Sequence, residues 1–370
     1  MNTLQNKFPD ISVPRSAVFE LTYKCNHACR FCSCPWFGTD SKYSMLPELS
    51  ESDWIRAAEK LIGYGIESIA FSGGEPLLRG DFPEIFRQIS KMEAKVPVFD
   101  RYNKIVGEGR KKLNISVITN GGLVDKSVVK MFADAKVMVT VSLPGIRTYE
   151  YHTGGGDVKK ALDAISAFSE AGLKVTAGIC VTNKNLSELF ETISAAFLSG
   201  AVNLLLNRFL VGGRGRDNRH LSLSRSEITT MLDIAEEVCL EAKTYGSVGT
   251  ELPRCLIEKK YKMMTVGTTC SGGVDFFAVD PSGKVRPCNH SPIKTGSIWD
   301  IESAISEPYW QTFKKKTFLP EMCGRCPSIY DCDGGCREAA HICGGSLNSP
   351  DPVFLEENKN GNCCPQIKKD

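Results

Sequence analysis

Cys25, Cys29 and Cys32 stand near the start of the chain in a C-x3-C-x2-C arrangement, with Cys34 just beyond. Thiols set this closely can reach one metal centre. Three thiolates would hold three irons of a 4Fe–4S cube and leave the fourth iron without a protein ligand. Such an open position is what lets a metal act on a substrate. A second reading remains, in which the same thiols and Cys34 supply the four ligands of a zinc site. The chain has sixteen cysteines, and they gather at two poles: four lie between positions 25 and 34, Cys180 stands alone, and eleven lie from Cys239 onward. That distribution suits two metal-bearing regions better than scattered core thiols. Cys180 and Cys239 fall inside regular elements and are expected to be buried small side chains.

Other residues able to do chemistry share one kind of position. Gly73-Gly74-Glu75-Pro76, Asn120, Ser142 and Arg208 each fall at or just after the end of a predicted strand. Two glycines allow close approach of backbone to a ligand, and a nearby carboxylate complements a cation. An arginine closing an apolar strand requires a partner.

The elements that would position these residues alternate. Strands are predicted at 17–23, 67–72, 113–119, 136–143, 173–182 and 202–209, and helices at 50–63, 82–92, 125–133, 157–171, 187–198 and 225–243, from apolar periodicity and caps such as Ser50 or Ser52. About six strand–helix alternations predict parallel strands with helical crossovers, an α/β fold of partial (β/α)6 TIM-like barrel type. In such barrels the chemistry sits at the C-terminal strand ends. After about residue 245 glycine, proline and cysteine rise and short strands such as 274–279 alternate with turns. The expected division is a barrel over 1–245 and a small cysteine-rich domain over 246–370, stapled by metal because its core is small. The basic stretch 101–112 is read as a solvated loop inserted between a helix and a strand.

Composition narrows the classes. Hydrophobic residues make up 42% and charged residues 24%, ordinary for a globular protein. A net charge of +2 provides no overall field toward nucleic acid or an anionic membrane. The N-terminus is polar without an apolar signal region, and no apolar run reaches the ~18 residues of a membrane span. A cytoplasmic location follows as the expectation, where reduced cysteines serve metals rather than disulfides.

The run Cys25-Asn26-His27-Ala28-Cys29-Arg30-Phe31-Cys32, followed one strand later by Gly73-Gly74-Glu75-Pro76, resembles the signature of radical S-adenosylmethionine (radical SAM) enzymes. The resemblance implies that Cys25, Cys29 and Cys32 hold a 4Fe–4S cluster and that the Gly73–Pro76 turn receives the amino group of S-adenosylmethionine. It places Phe31 beside the adenine, Asn120 and Ser142 on ribose or methionine, and Arg208 on the methionine carboxylate. It also implies the reaction: an electron from the cluster splits the sulfonium, and the resulting 5′-deoxyadenosyl radical takes a hydrogen atom from the substrate. A one-electron reductase, flavodoxin or ferredoxin would be the electron partner.

The later cysteines resemble the SPASM module, which holds auxiliary clusters in one branch of that family. Cys270, Gly283 and Cys288 are followed by Cys323-x2-Cys326-x5-Cys332-x3-Cys336. By resemblance, one auxiliary cluster uses Cys270, Cys288 and Cys336 with Cys255 as a possible fourth ligand. The other uses Cys323, Cys326 and Cys332, closed by Cys363 or Cys364, with Cys343 a competitor. Structural zinc is the alternative for this region too. Cys34 is left as a free thiol or as a hydrogen donor or acceptor near the radical.

SPASM-bearing relatives mostly modify peptides or proteins, so the resemblance implies crosslinking, epimerisation or oxidation of a peptide substrate, ribosomally made. The sulfatase-maturing branch carries an aspartate base after the equivalent of Cys288; Asn289 stands here and cannot take a proton in that way. A small-molecule SPASM dehydrogenase or cofactor-biosynthesis enzyme is the alternative enzyme class, and a non-catalytic zinc-stabilised interaction protein the alternative in kind. The barrel is expected to begin almost at the N-terminus, without a preceding leader-binding domain. The arginines and glycines of 208–220 offer either a surface for an acidic peptide segment or a solvated basic loop.

Overall fold

The computed structural model describes residues 13–34, 47–102, 104–257 and 259–354. The expected alternation opens with β1 (Ser16–Glu20), α1 (Glu51–Gly63), β2 (Ser68–Ser72) and α2 (Phe82–Ile89). Ser50 is the cap of α1: its side chain accepts from the Asp53 N–H, and the Asp53 carboxylate accepts from the Ser50 N–H, a reciprocal pair that satisfies two orphan donors. Trp54, Ala57, Ala58 and Leu61 recur at helical spacing and are buried.

Residues 101–112 do not form the solvated loop expected of them. β3 (Glu93–Phe99) and β4 (Ile105–Lys112) pair antiparallel as a hairpin with a sheet of its own. Pro97 within β3 and two glycines within β4 hid the strands from propensity. Backbone pairing across a short turn overrides that preference.

The alternation resumes with β5 (Asn114–Thr119), α3 (Lys126–Ala135), β6 (Met138–Ser142), a short α4 (Tyr149–Thr153) and α5 (Val158–Glu170). β7 (Val175–Val181), α6 (Leu189–Leu198), β8 (Asn203–Arg208) and α7 (Arg225–Ala242) complete it. β1, β2, β5, β6, β7 and β8 are neighbours in that order and all pair in parallel, the α/β arrangement of a partial barrel. Such strands are covered on both faces, which accounts for their apolar runs. Phe19, Phe71, Phe82, Phe86, Phe132 and Phe168 fill the space between strands and helices, and Phe132 and Phe168 stack with centroids 5.6 Å apart.

Strands from beyond residue 245 join the same sheet at both edges. β9 (Gly246–Val248) and β10 (Met264–Val266) continue it in parallel past β8. On the other side β11 (Phe276–Val279) runs parallel to β1, followed antiparallel by β12 (Lys284–Arg286) and β13 (Gly296–Ser297). Three helices, α8 (Ile301–Ser306), α9 (Pro308–Lys315) and α10 (Arg337–Gly344), complete the described chain. Buried ion pairs tie the C-terminal part to the parallel strands: Glu20 of β1 with Arg286 of β12, and Arg208 of β8 with Asp351. Among the described residues no helix is long and apolar enough to cross a membrane.

Candidate metal centre

The first cysteine cluster is held by three backbone walls. After β1 the chain keeps pairing with the end of β2: Leu21 N donates to Ser72 O, Gly74 N to Thr22 O, and Glu75 N to Lys24 O, at 3.0, 2.7 and 2.9 Å. Only glycines permit this approach. Gly73 has φ +129°, and a Cβ on Gly74 would stand 2.0 Å from Lys24 O. The second wall is the C-terminal end of α4, where Ala28 N and Arg30 N donate to Thr153 O and His152 O at 2.8 and 2.9 Å. The third follows β8: Gly215 N donates to Cys32 O at 3.3 Å, and a Cβ on Gly213 would stand 2.1 Å from Cys34 O. The 208–220 stretch is therefore packed against the cysteine loop through its glycines, with Gly215 and Leu221 buried, while Arg216, Arg219 and His220 face solvent.

These walls bring Cys25, Cys29, Cys32, Phe31, Gly73 and Gly74 around one cavity, which Asn120 and Ser142 also line. It lies at the C-terminal ends of β1, β2, β5 and β6, as expected of a barrel site. His27, Tyr149, Thr153 and Arg214 line it too; sequence reasoning had given the first three no site role and Arg214 only a share in the basic 208–220 surface. His27 lay in plain view inside the cysteine motif. Arg214 was visible as one charge in a basic stretch, but only packing turns it toward the cysteines.

Glu75 and Pro76 belong to the turn without lining the cavity. The Glu75 carboxylate is fully buried and accepts from Thr119 Oγ1 (2.8 Å), Asn120 N (2.8 Å) and Leu77 N (3.2 Å). These bonds fix the end of β5 against the glycine turn. Asn120 Nδ2 donates to Asn26 Oδ1 at 2.7 Å and stands 3.9 Å from Cys25 Sγ, while its Oδ1 receives Gly122 N at 2.8 Å. Much of its capacity goes to holding the cysteine loop.

Arg208 is the clearest departure. Its guanidinium is buried, pairs with both oxygens of Asp351 at 2.7 and 2.6 Å, and donates to Glu251 O at 3.2 Å. A buried guanidinium requires a buried counter-charge, and Asp351 is that partner. Arg208 is therefore not the arginine at the cavity; Arg214 is.

The donor set suits an iron–sulfur cube. Burial pushes all three thiols up, Cys32 to about 11, so on their own they stay protonated near neutrality. A cation bound among them reverses that, since coordination deprotonates a thiol. Arg214 acts in the same direction on each. Cys25 Sγ already receives His27 N at 3.4 Å, and the His27 Nδ1 is buried without a hydrogen-bond partner. Among the described residues no three His, Cys, Asp or Glu side chains converge tightly enough to share a single ion. In a four-iron cube each thiolate takes a different iron, so such convergence is not required.

In the C-terminal region Cys288 and Cys336 are buried and Cys270 is half-buried. The charges of these three thiols act on one another, and Gly272 packs between Cys288 Cβ and Cys270 Sγ. Cys323, Cys326 and Cys332 form a separate turn: Cys326 N donates to Cys323 O at 3.0 Å, and Cys332 Sγ accepts from Gly334 N and Arg254 N, both at 3.3 Å. Cys255, beside Arg254, packs against the apolar cluster of Leu252, Leu256 and Phe354. Cys343 packs with Phe209, Val211 and Leu221. Cys363 and Cys364 lie outside the described residues. Cys239 is fully buried, as expected, whereas Cys180 is only partly so and lies close enough to Cys32 for their charges to interact.

Comparison with known proteins accords with this geometry. A family profile described as the Radical SAM superfamily matches residues 19–196. A PqqA peptide cyclase from Granulibacter bethesdensis is 25% identical, the match covering 93% of this chain and 87% of that protein. An AdoMet-dependent heme synthase from Methanosarcina barkeri is 26% identical over 93% of this chain and 97% of its own length. Among solved structures, Streptococcus suis SuiB bound to the precursor peptide SuiA superposes with a TM-score of 0.67 at 15% identity, covering 92% of this chain and 75% of that one.

Proposed function

Because the chain belongs to the radical SAM superfamily, we propose that it is a peptide-modifying enzyme working at the cavity of Cys25, Cys29 and Cys32. One observation carries this reading: the three thiols, the Gly73–Gly74 turn, Asn120, Ser142 and Arg214 surround a single cavity at the C-terminal strand ends. Cys25, Cys29 and Cys32 would hold the 4Fe–4S cluster. The Gly73–Gly74 backbone would receive the amino group of S-adenosylmethionine, Ser142 and Asn120 its ribose or methionine, and Phe31 its adenine. Arg214, a guanidinium at the cavity, suits the methionine carboxylate. When bound, cluster and S-adenosylmethionine supply one-electron cleavage of the sulfonium and with it a carbon radical for hydrogen abstraction. Tyr149, which is 2% exposed, helps keep bulk water from the cavity.

The likeness to a PqqA peptide cyclase over nearly the whole chain supports a peptide substrate. Crosslinking, epimerisation and oxidation all fit a radical formed on a peptide. Cys270, Cys288 and Cys336, and separately Cys323, Cys326 and Cys332 with Cys363 or Cys364, would carry two auxiliary clusters. A flavodoxin- or ferredoxin-type reductant would provide the electron, in the cytoplasm, without nucleic acid or membrane. The heme synthase likeness favours a second reading, a small-molecule substrate at the same cavity.

Replacing Cys25, Cys29 and Cys32 together with Ala is expected to abolish 5′-deoxyadenosine production while about two thirds of the iron is retained. Continued production by that variant would refute the assignment. A mass change on a short peptide encoded beside this gene, seen only with the parent protein and S-adenosylmethionine, would establish the substrate class; turnover of a small molecule instead would favour the second reading.

A further inference from the structure

The first auxiliary set, Cys270, Cys288 and Cys336, would occupy three corners of a four-iron cube, which offers a fourth. Four carboxylates approach that set, and three are committed. Asp333 accepts from Cys270 N at 2.7 Å and pairs with Lys316 at 2.9 Å. Asp351 is held by Arg208, and it accepts from Cys336 N at 3.0 Å and Val353 N at 3.2 Å. Both oxygens of Glu338 accept from Tyr309 Oη, at 2.8 and 2.9 Å.

Glu251 differs. Its carboxylate is met only by backbone donors, its own N–H and, through Oε1 at a long 3.4 Å, that of Ser271, the residue after Cys270. Among the described residues no basic side chain forms an ion pair with it. Arg208, the guanidinium that grips Asp351 beside Cys336, also donates to the Glu251 carbonyl, so one side chain ties the Glu251 backbone to the carboxylate that receives Cys336 N. Among charged neighbours, Glu251 weighs most on Cys270 and on Cys336, and Glu338, which Tyr309 already holds, weighs most on Cys288. Cys255 is placed otherwise. It packs into the apolar cluster under α7, and its neighbour Arg254 donates to Cys332 of the other set.

We propose that the Glu251 carboxylate, and not the Cys255 thiol, is the fourth protein ligand of the cluster on Cys270, Cys288 and Cys336. The proposal rests on the reading above that this set holds an iron–sulfur cluster. A carboxylate oxygen is a competent iron ligand, and replacing thiolate by a less donating ligand raises a cluster's potential.

The test uses the full-length chain, anaerobically reconstituted, carrying Cys25→Ala, Cys29→Ala and Cys32→Ala so that only auxiliary iron remains. Iron content, electron paramagnetic resonance and a redox titration are read for this parent and for added Glu251→Cys, Glu251→Ala and Cys255→Ala. Glu251→Cys is expected to keep the iron and to shift the resonance and lower the midpoint potential of one cluster. Glu251→Ala is expected to lose about one iron and to show a three-iron signal when oxidised. Cys255→Ala should leave that cluster's signal unchanged. Parental spectra and iron in both Glu251 variants would overturn the ligand assignment alone, and loss of the signal in Cys255→Ala would give the position to the thiol. Should Glu251→Ala fail to fold, Glu251→Cys decides. A parent without iron would overturn the cluster reading itself, and this proposal with it.

Discussion

Glu75 shows how a motif residue can hold the backbone of a site together. Its carboxylate sits in the protein interior with three donors, and burial, the largest influence, raises its carboxyl from 4.5 to about 7. The unfolded chain releases this proton near 4.5 and the folded chain only near 7. Between those values the unfolded state binds fewer protons, so folding stability falls as pH rises across the window. Glu75→Gln cannot titrate and is expected to remove this component, at most about 3 kcal/mol. Urea midpoints at pH 5 and pH 7.5 measure it; an unchanged pH dependence in the variant would count against the assignment. The Gly73–Glu75 motif itself was legible in the sequence, because a glycine pair after a strand implies close backbone approach. That the approach is to Lys24 of the cysteine loop, and that Glu75 faces inward, depends on residues some fifty positions apart in the chain.

The elements divide into those whose periodicity declared them and those built by pairing. α1 and α7 each begin with a serine box, Ser50 with Asp53 and Ser224 with Glu227, and both were legible from cap and apolar stripe. The β3–β4 hairpin was not, because Pro97 and the glycines of β4 suppress the local signal while cross-strand hydrogen bonds decide the outcome. Short α4 was missed for the opposite reason: at five residues it has too little periodicity to be read, yet its end anchors Ala28 and Arg30. The hairpin forms its own two-stranded sheet away from the cysteine cavity. Replacing its tip, residues 99–106, with an Asn-Gly turn that keeps Val98 opposite Gly107 is therefore expected to leave S-adenosylmethionine cleavage within about twofold of the parent, since a two-residue turn suits a hairpin. Loss of 5′-deoxyadenosine formation in a folded variant would show that the hairpin supports the centre.

At the scale of the molecule, the parallel strands and the cysteine-rich part are joined by shared strands and by buried charge. Asp351→Ala would leave the Arg208 guanidinium buried and unpaired and is expected to cost about 3–5 kcal/mol, whereas removing both charges as Arg208→Met with Asp351→Leu should recover much of that loss. Thermal unfolding of the three proteins tests this; a single variant as stable as its parent would show that the pair contributes nothing to joining the two parts. Because Asp351 also receives Cys336 N, the proposed auxiliary cluster on Cys336 predicts that the single variant loses iron as well.

Composition, the two cysteine poles and six strand–helix alternations were enough, from the chain alone, to determine a parallel α/β fold with a cysteine loop at its strand ends. These depend on local spacing, which a linear chain records directly. Only the tertiary structure decided which polar groups meet. Arg208 went to Asp351, Arg214 came to the cavity, and the Glu251 carboxylate reached Ser271, next to Cys270. The physical reason is that a buried charge is satisfied by whichever partner packing brings within reach, and that choice is made between segments far apart in sequence.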